Sequence, residues 1–212
     1  MIISHRYKFV YFSIPKTGSE SCRKMLYPFL DEKVVAFPKT TKNTPFYPHM
    51  TPSELIEAFE NFGFDYRKYN FFATVRNPWA RVYSLYKMAK RMNKLQKNCT
   101  FNQFVNIFYS KNSLNVKTKN KWFDHGLINY KTFIQSNKIK VKSFKIETEK
   151  NNFLNSLISI DVPLNLNHNF PKINVATSVN EYIEYFDQEA FEIIKNFYDS
   201  DIRIYNYKFE GN

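Results

Sequence analysis

The chain has 212 residues, 43% of them hydrophobic and 18% aromatic, with only 4 Gly and 9 Pro. That supplies a sizeable core, fits a single domain over 1–212, and excludes a low-complexity or disordered chain. The formal charge of +12 favours capture of anions, but it does not choose among nucleotide, nucleic acid, acidic glycan and membrane face.

Residues 8–14, a run of β-branched and aromatic side chains, read as a buried strand, and Pro15-Lys16-Thr17-Gly18-Ser19 interrupts it. A helix over 20–30 follows, with Cys22, Met25, Leu26 and Phe29 at helical spacing. Residues 31–48 carry Pro38, Pro45 and Pro48 and read as loop, with one short strand expected at 34–36. Thr51-Pro52-Ser53-Glu54 has the form of a capping box and opens a second helix. A second strand spans 70–75 and stops at Arg76-Asn77-Pro78, and a long helix then runs over 79–93. Helices are expected at 101–109, 122–136, 151–158 and 188–198, a strand at 140–146, and loops at 110–121 and 161–180. Strands alternating with helices predict an α/β fold, a central parallel sheet flanked by helices.

Two cysteines, Cys22 and Cys99, are too few for a disulfide framework and read as free thiols of a reducing compartment. No stretch reaches the roughly 18–20 apolar residues of a membrane span. The first residues, Met1-Ile2-Ile3-Ser4-His5-Arg6, meet charge too early for a signal peptide. A soluble, cytoplasmic protein is expected.

Two stretches carry chemistry. In the first, a strand feeds Pro15-Lys16-Thr17-Gly18-Ser19-Glu20-Ser21 and then a helix, so backbone N–H groups and the helix dipole face an anion. Gly18 permits close approach, Ser19 and Ser21 add hydroxyls, and Lys16 adds a cation. Lys16 precedes the only Gly of the loop, so the order of a Walker A loop, with its Lys after the second Gly, is absent. In the second, Arg76-Asn77-Pro78 leaves a strand and opens a helix in which Arg81, Ser84 and Tyr86 follow. Arg76 can fork onto a phosphate, and Ser84 lies about two helical turns into that helix.

The first stretch resembles the 5′-phosphosulfate loop, P-K-T-G-S-x-S, of sulfotransferases that use 3′-phosphoadenosine 5′-phosphosulfate (PAPS), in particular the carbohydrate enzymes. The second resembles their 3′-phosphate motif, R-N-P-x-x-R-x-x-S-x-Y, at Arg76, Asn77, Pro78, Arg81, Ser84 and Tyr86. The strand ending at Glu147 and the closing Tyr198-x-x-Asp201-Ile202-x-x-Tyr205-x-Tyr207 resemble the family's last third more loosely. The resemblance implies a P-loop-NTPase-like sulfotransferase fold and transfer of a sulfuryl group from PAPS to an acceptor hydroxyl, with a glycan favoured as acceptor. It also implies no metal, and no cluster of metal-ligand spacing is visible. The donor would be held by Lys16, Thr17, Gly18, Ser19, Glu20, Ser21, Arg76 and Ser84, with Lys172, beside Asn167 and Asn174, covering the nucleotide.

Lys16 is the expected stabiliser of charge on the leaving phosphate. His49, between the two motifs, is the first candidate for the general base and Glu20 the second. His125 and His168 are outside candidates, and His5 is expected at the surface. A P-loop-type small-molecule kinase would need a true Walker A loop and an Mg²⁺-binding Asp at a strand end. A nucleic-acid binder would need its lysines striped rather than scattered. Neither pattern is present, while a non-catalytic nucleotide binder stays open as an alternative.

Overall fold

Strand β1 (Ile2–Ser4) pairs with β2 (Phe9–Phe12) in antiparallel register, Ile3 opposite Val10. Strand β3 (Asn70–Val75) runs parallel to β2, with Phe9 opposite Asn70, and β4 (Val141–Lys145) runs parallel to β3, with Phe71 opposite Val141. The order across the sheet is β1-β2-β3-β4. The computed structural model describes residues 1–110, 127–165 and 181–209. Two compact units emerge, Met1–Val75 with Tyr130–Ile173, and Arg76–Asn129 with Asn174–Asn212.

The expected all-parallel sheet is therefore mixed. The physical reason is the connection: residues 5–8 turn directly from β1 into β2, with Lys8 at φ 51. A parallel crossover needs a dozen residues or more, so this turn can only make a hairpin. Ile2 and Ile3 supply buried β-branched side chains for β1.

The first unit holds the sheet, helix α1 (Ser19–Leu26), α2 (Pro52–Asn61), the short α5 (Lys131–Ile134) and α6 (Lys150–Ile158). Alternation along the strands puts Phe9, Tyr11 and Phe72 on one face. They form one core with Cys22, Met25 and Leu26 of α1 and Phe153, Leu154 and Leu157 of α6. On the opposite face Phe12 stacks on Phe71 at 6.1 Å.

Several boundaries differ from expectation. The first helix stops at Leu26 rather than 30, because Pro28 has no N–H to donate and the chain tightens into a 3₁₀ turn, Tyr27–Phe29. No strand forms at 34–36. A single bond from Val35 N–H to the Phe46 carbonyl (2.9 Å) is not extended, and Pro38 and Pro45 nearby lack donors. The helix expected over 122–136 is described from residue 127 on, and there only Lys131–Ile134 is helical. The loop expected over 110–121 lies outside the described residues except for Ser110, as does 166–180 of the loop expected over 161–180. The capping box on α2 is present, with Thr51 Oγ1 accepting from Glu54 N–H and Glu54 Oε2 accepting from Thr51 N–H.

The second unit is helical among its described residues: α3 (Pro78–Arg91), α4 (Phe101–Tyr109), α7 (Gln188–Phe197) and α8 (Asp199–Tyr205). Aromatic side chains fill it. Trp79 stacks on Phe191 at 5.5 Å with the rings 6° from parallel, and Phe101 meets Tyr83, Tyr86 and Phe186 edge-on. Helix α8 was not expected from the sequence. It starts where α7 ends, at Tyr198, so no loop separates the two.

Candidate functional site

The first motif forms the turn at the carboxyl end of β2 and the start of α1. Both Lys16 (φ 66) and Gly18 (φ 73) take the left-handed conformation. For Lys16 this costs on the order of 1–2 kcal/mol, a strain found mainly at functional sites. Gly18 has a second reason to be glycine, since a Cβ there would lie 2.9 Å from Ile146 Cγ1. Gly18 also precedes α1 as its N-cap and makes no side-chain cap. No side chain at the N-cap therefore competes with a ligand for the first-turn N–H groups of α1. Lys16, Gly18 and Ser21 are half-buried, Thr17 and Ser19 buried, and Glu20 exposed.

A buried hydroxyl network lies under this turn. Thr17 Oγ1 donates to the Ile14 carbonyl (2.9 Å), and Thr74 Oγ1 donates to the Thr17 carbonyl (3.1 Å). With the Thr74 proton so used, the Tyr11 hydroxyl must donate to Thr74 Oγ1 (2.6 Å). The Thr17 side chain thus serves the turn itself, and only its N–H is available to an anion. Cys22 adjoins Tyr11 and Thr74; burial pushes its thiol up to about 11 and raises the Tyr11 phenol, so the network is uncharged. Cys22 and Cys99 are both free and buried.

His49 is tied to the same strand end. Its Nδ1 lies 2.7 Å from the Ser13 carbonyl. A carbonyl only accepts, so Nδ1 carries the proton and Nε2 is the basic nitrogen. Ser13 is three residues before Lys16, which brings the candidate base and the candidate cation onto one segment of the first unit. His5, expected at the surface, is half-buried, with Nδ1 2.6 Å from Tyr69 Oη and Nε2 2.7 Å from Glu32 Oε1.

The second motif belongs to the helical unit. Asn77 caps α3, its Oδ1 accepting from Trp79 N–H (3.1 Å), and its Nδ2 donates to the Lys208 carbonyl (2.7 Å). Arg76, just outside that cap, and Ser84, along α3, are both half-buried. Arg81 is 1% exposed; its Nη1 donates to the Ile128 carbonyl (2.8 Å) and its guanidinium lies 5.5 Å from the centre of the Tyr198 ring. Tyr86 donates to the Cys99 carbonyl (3.0 Å). These contacts tie Arg81 and Tyr86 to the packing of their own unit.

Lys172, Asn167, Asn174, His125 and His168 lie outside the described residues. Two contributors escaped the sequence reading. Ser13 acts through its carbonyl, which no side chain announces. Thr74 left one signal, a hydroxyl within Phe71-Phe72-Ala73-Thr74-Val75, where every neighbour is apolar.

A strand-ending loop with two left-handed residues, a lysine and a helix start without a side-chain cap is a form that can receive an anion. The sequence profile described as "Sulfotransferase family" matches residues 1–208. The chain belongs to this family, a family of PAPS-dependent sulfotransferases, and its general activity is sulfotransfer. No curated protein and no solved structure matches it. Among the described residues no helix is long and apolar enough to cross a membrane.

Proposed function

We propose that the chain, acting as a single sulfotransferase domain with a P-loop-like core in the cytoplasm, moves a sulfuryl group from PAPS to a hydroxyl of a carbohydrate acceptor. The observation that carries the reading is the turn at 15–19, with left-handed Lys16 and Gly18 leading into the start of α1. On this reading the 5′-phosphosulfate end lies on the N–H groups of Thr17, Gly18 and Ser19, with the Ser19 and Ser21 hydroxyls beside it. The 3′-phosphate pairs with Arg76 and Ser84, and Lys172 covers the nucleotide.

The acceptor oxygen attacks sulfur while its proton passes to His49 Nε2. The bond from sulfur to the bridging oxygen breaks, and adenosine 3′,5′-bisphosphate leaves. Lys16 neutralises the charge that grows on the bridging oxygen and the 5′-phosphate. The Nδ1–H bond to Ser13 supports His49 over Glu20 as base, because it presents the basic nitrogen on a held ring. A glycan acceptor is supported by the +12 net charge and by the resemblance of the loop to those of carbohydrate enzymes.

The test is calorimetric titration with adenosine 3′,5′-bisphosphate, ATP and AMP, for wild type and Arg76→Ala. The expected result is selective binding of the bisphosphate, lost in Arg76→Ala. Equal affinity for ATP and the bisphosphate would sink the assignment of these residues to PAPS.

A further inference from the structure

We infer that Thr74 is a positioning residue for sulfotransfer, acting by aiming the Gly18 N–H at the 5′ end of the donor. The inference rests on the reading above, that the turn at 15–19 receives that end.

In a trans peptide the C=O of one residue and the N–H of the next point in opposite directions. The Thr17 carbonyl and the Gly18 N–H share such a plane. Thr74 Oγ1, on β3, holds the Thr17 carbonyl at 3.1 Å. With the carbonyl held inward against the sheet, the Gly18 N–H has to point outward, away from it. Gly18 has no Cβ to resist a flip of this plane, since glycine populates both signs of φ. The neighbouring Lys16 is already strained at φ 66. Without a tether, the plane can turn so that its carbonyl rather than its N–H faces the anion.

The tether is itself fixed. Tyr11 on β2 donates to Thr74 Oγ1 at 2.6 Å, which occupies an acceptor site of that hydroxyl and sets its rotor. Thr17 Oγ1 is satisfied separately by the Ile14 carbonyl at 2.9 Å. Thr74 is 1% exposed, so water does not compete for the bond. A buried hydroxyl in an apolar strand would be a plain cost if it did nothing. Here it connects the two parallel strands to the carbonyl that orients the loop.

The experiment compares wild type with Thr74→Val, which keeps shape and removes the hydroxyl, and Thr74→Ser, which keeps the hydroxyl. Each is titrated with adenosine 3′,5′-bisphosphate, which fills the loop, and with adenosine 3′-monophosphate, which does not. Thr74→Val should weaken the bisphosphate roughly ten-fold, leave the 3′-monophosphate unchanged, and lower kcat, with Thr74→Ser restoring all three. If Thr74→Val does not fold, Tyr11→Phe takes its place and should cost about three-fold, again for the bisphosphate alone. An unchanged bisphosphate affinity in Thr74→Val, or an equal loss of both ligands, overturns the inference while leaving the proposed function standing. Wild type that binds neither ligand removes the underlying reading and this inference with it.

Discussion

Gly18→Ala is the sharpest perturbation of the candidate loop. Two separate effects act at that position. The left-handed φ of 73 costs an L-residue about 1–2 kcal/mol. The added Cβ would sit 2.9 Å from Ile146 Cγ1, inside contact distance, and overpacking of this kind costs about 1–3 kcal/mol. Cγ1 is the methylene next to the branched Cβ of Ile146, not its free end, so it moves only if χ1 leaves its rotamer. The sum is about 2–5 kcal/mol of unfolding free energy, measurable by urea denaturation, together with at least a roughly ten-fold loss of bisphosphate affinity by calorimetry. A double-variant cycle separates the two effects. Ile146→Ala removes Cγ1 but leaves φ untouched, so Gly18→Ala should cost less in that background, by about 1–3 kcal/mol. If Gly18→Ala keeps wild-type stability and wild-type affinity, the turn does not need its left-handed glycine and the account of the loop is wrong.

Lys16→Met and His49→Gln should each lower kcat about 10²- to 10³-fold in a sulfotransfer assay, with bisphosphate affinity retained in His49→Gln; a loss of affinity there instead would place His49 in donor binding. Arg81→Leu should cost about 1–3 kcal/mol in a denaturation experiment, because it removes the donor to the half-buried Ile128 carbonyl and empties space over Tyr198. A surviving Arg81→Leu protein should keep its bisphosphate affinity, and selective loss of binding would assign Arg81 to the ligand. Melting temperature should fall on the alkaline side. The thiol of Cys22 is raised from 9.0 to about 11 and the Tyr11 phenol is also raised, both chiefly by burial. Raised acids contribute stability that is full below the unfolded pKa and is lost as pH climbs towards the folded one, here from about pH 9 towards 11. Melts that stay flat over that range would show that neither group is held protonated by the fold.

The strand at 70–75 was legible as an unbroken apolar run, and the helices at 101–109 and 188–197 because apolar residues recur at helical spacing. β1 was not, since three residues carry no period and its partner is set by a turn. Thr74 is a visible anomaly in an apolar strand, yet its partner lies 57 residues away at Thr17, and nothing local names it. The chemistry of His49 was legible as a residue type, while its protonation state depends on a backbone carbonyl. Arg81 was legible as a position of the second motif, while its burial against Tyr198 and its bond to the Ile128 carbonyl depend on contacts far along the chain.

The path of the chain through the sheet has a consequence for how the protein folds. Only β1 and β2 are neighbours in sequence. β3 pairs with strands that lie roughly sixty residues before it and seventy after it, and such non-local pairings are slow to form. Between β3 and β4 the chain enters the helical unit at Arg76 and returns at Tyr130. During synthesis, β3 therefore emerges with one edge unpaired until β4 follows. An open edge of Phe, Ala, Thr and Val invites association with another chain. Soluble yield should therefore respond more to translation rate and temperature than the final stability of the fold would suggest.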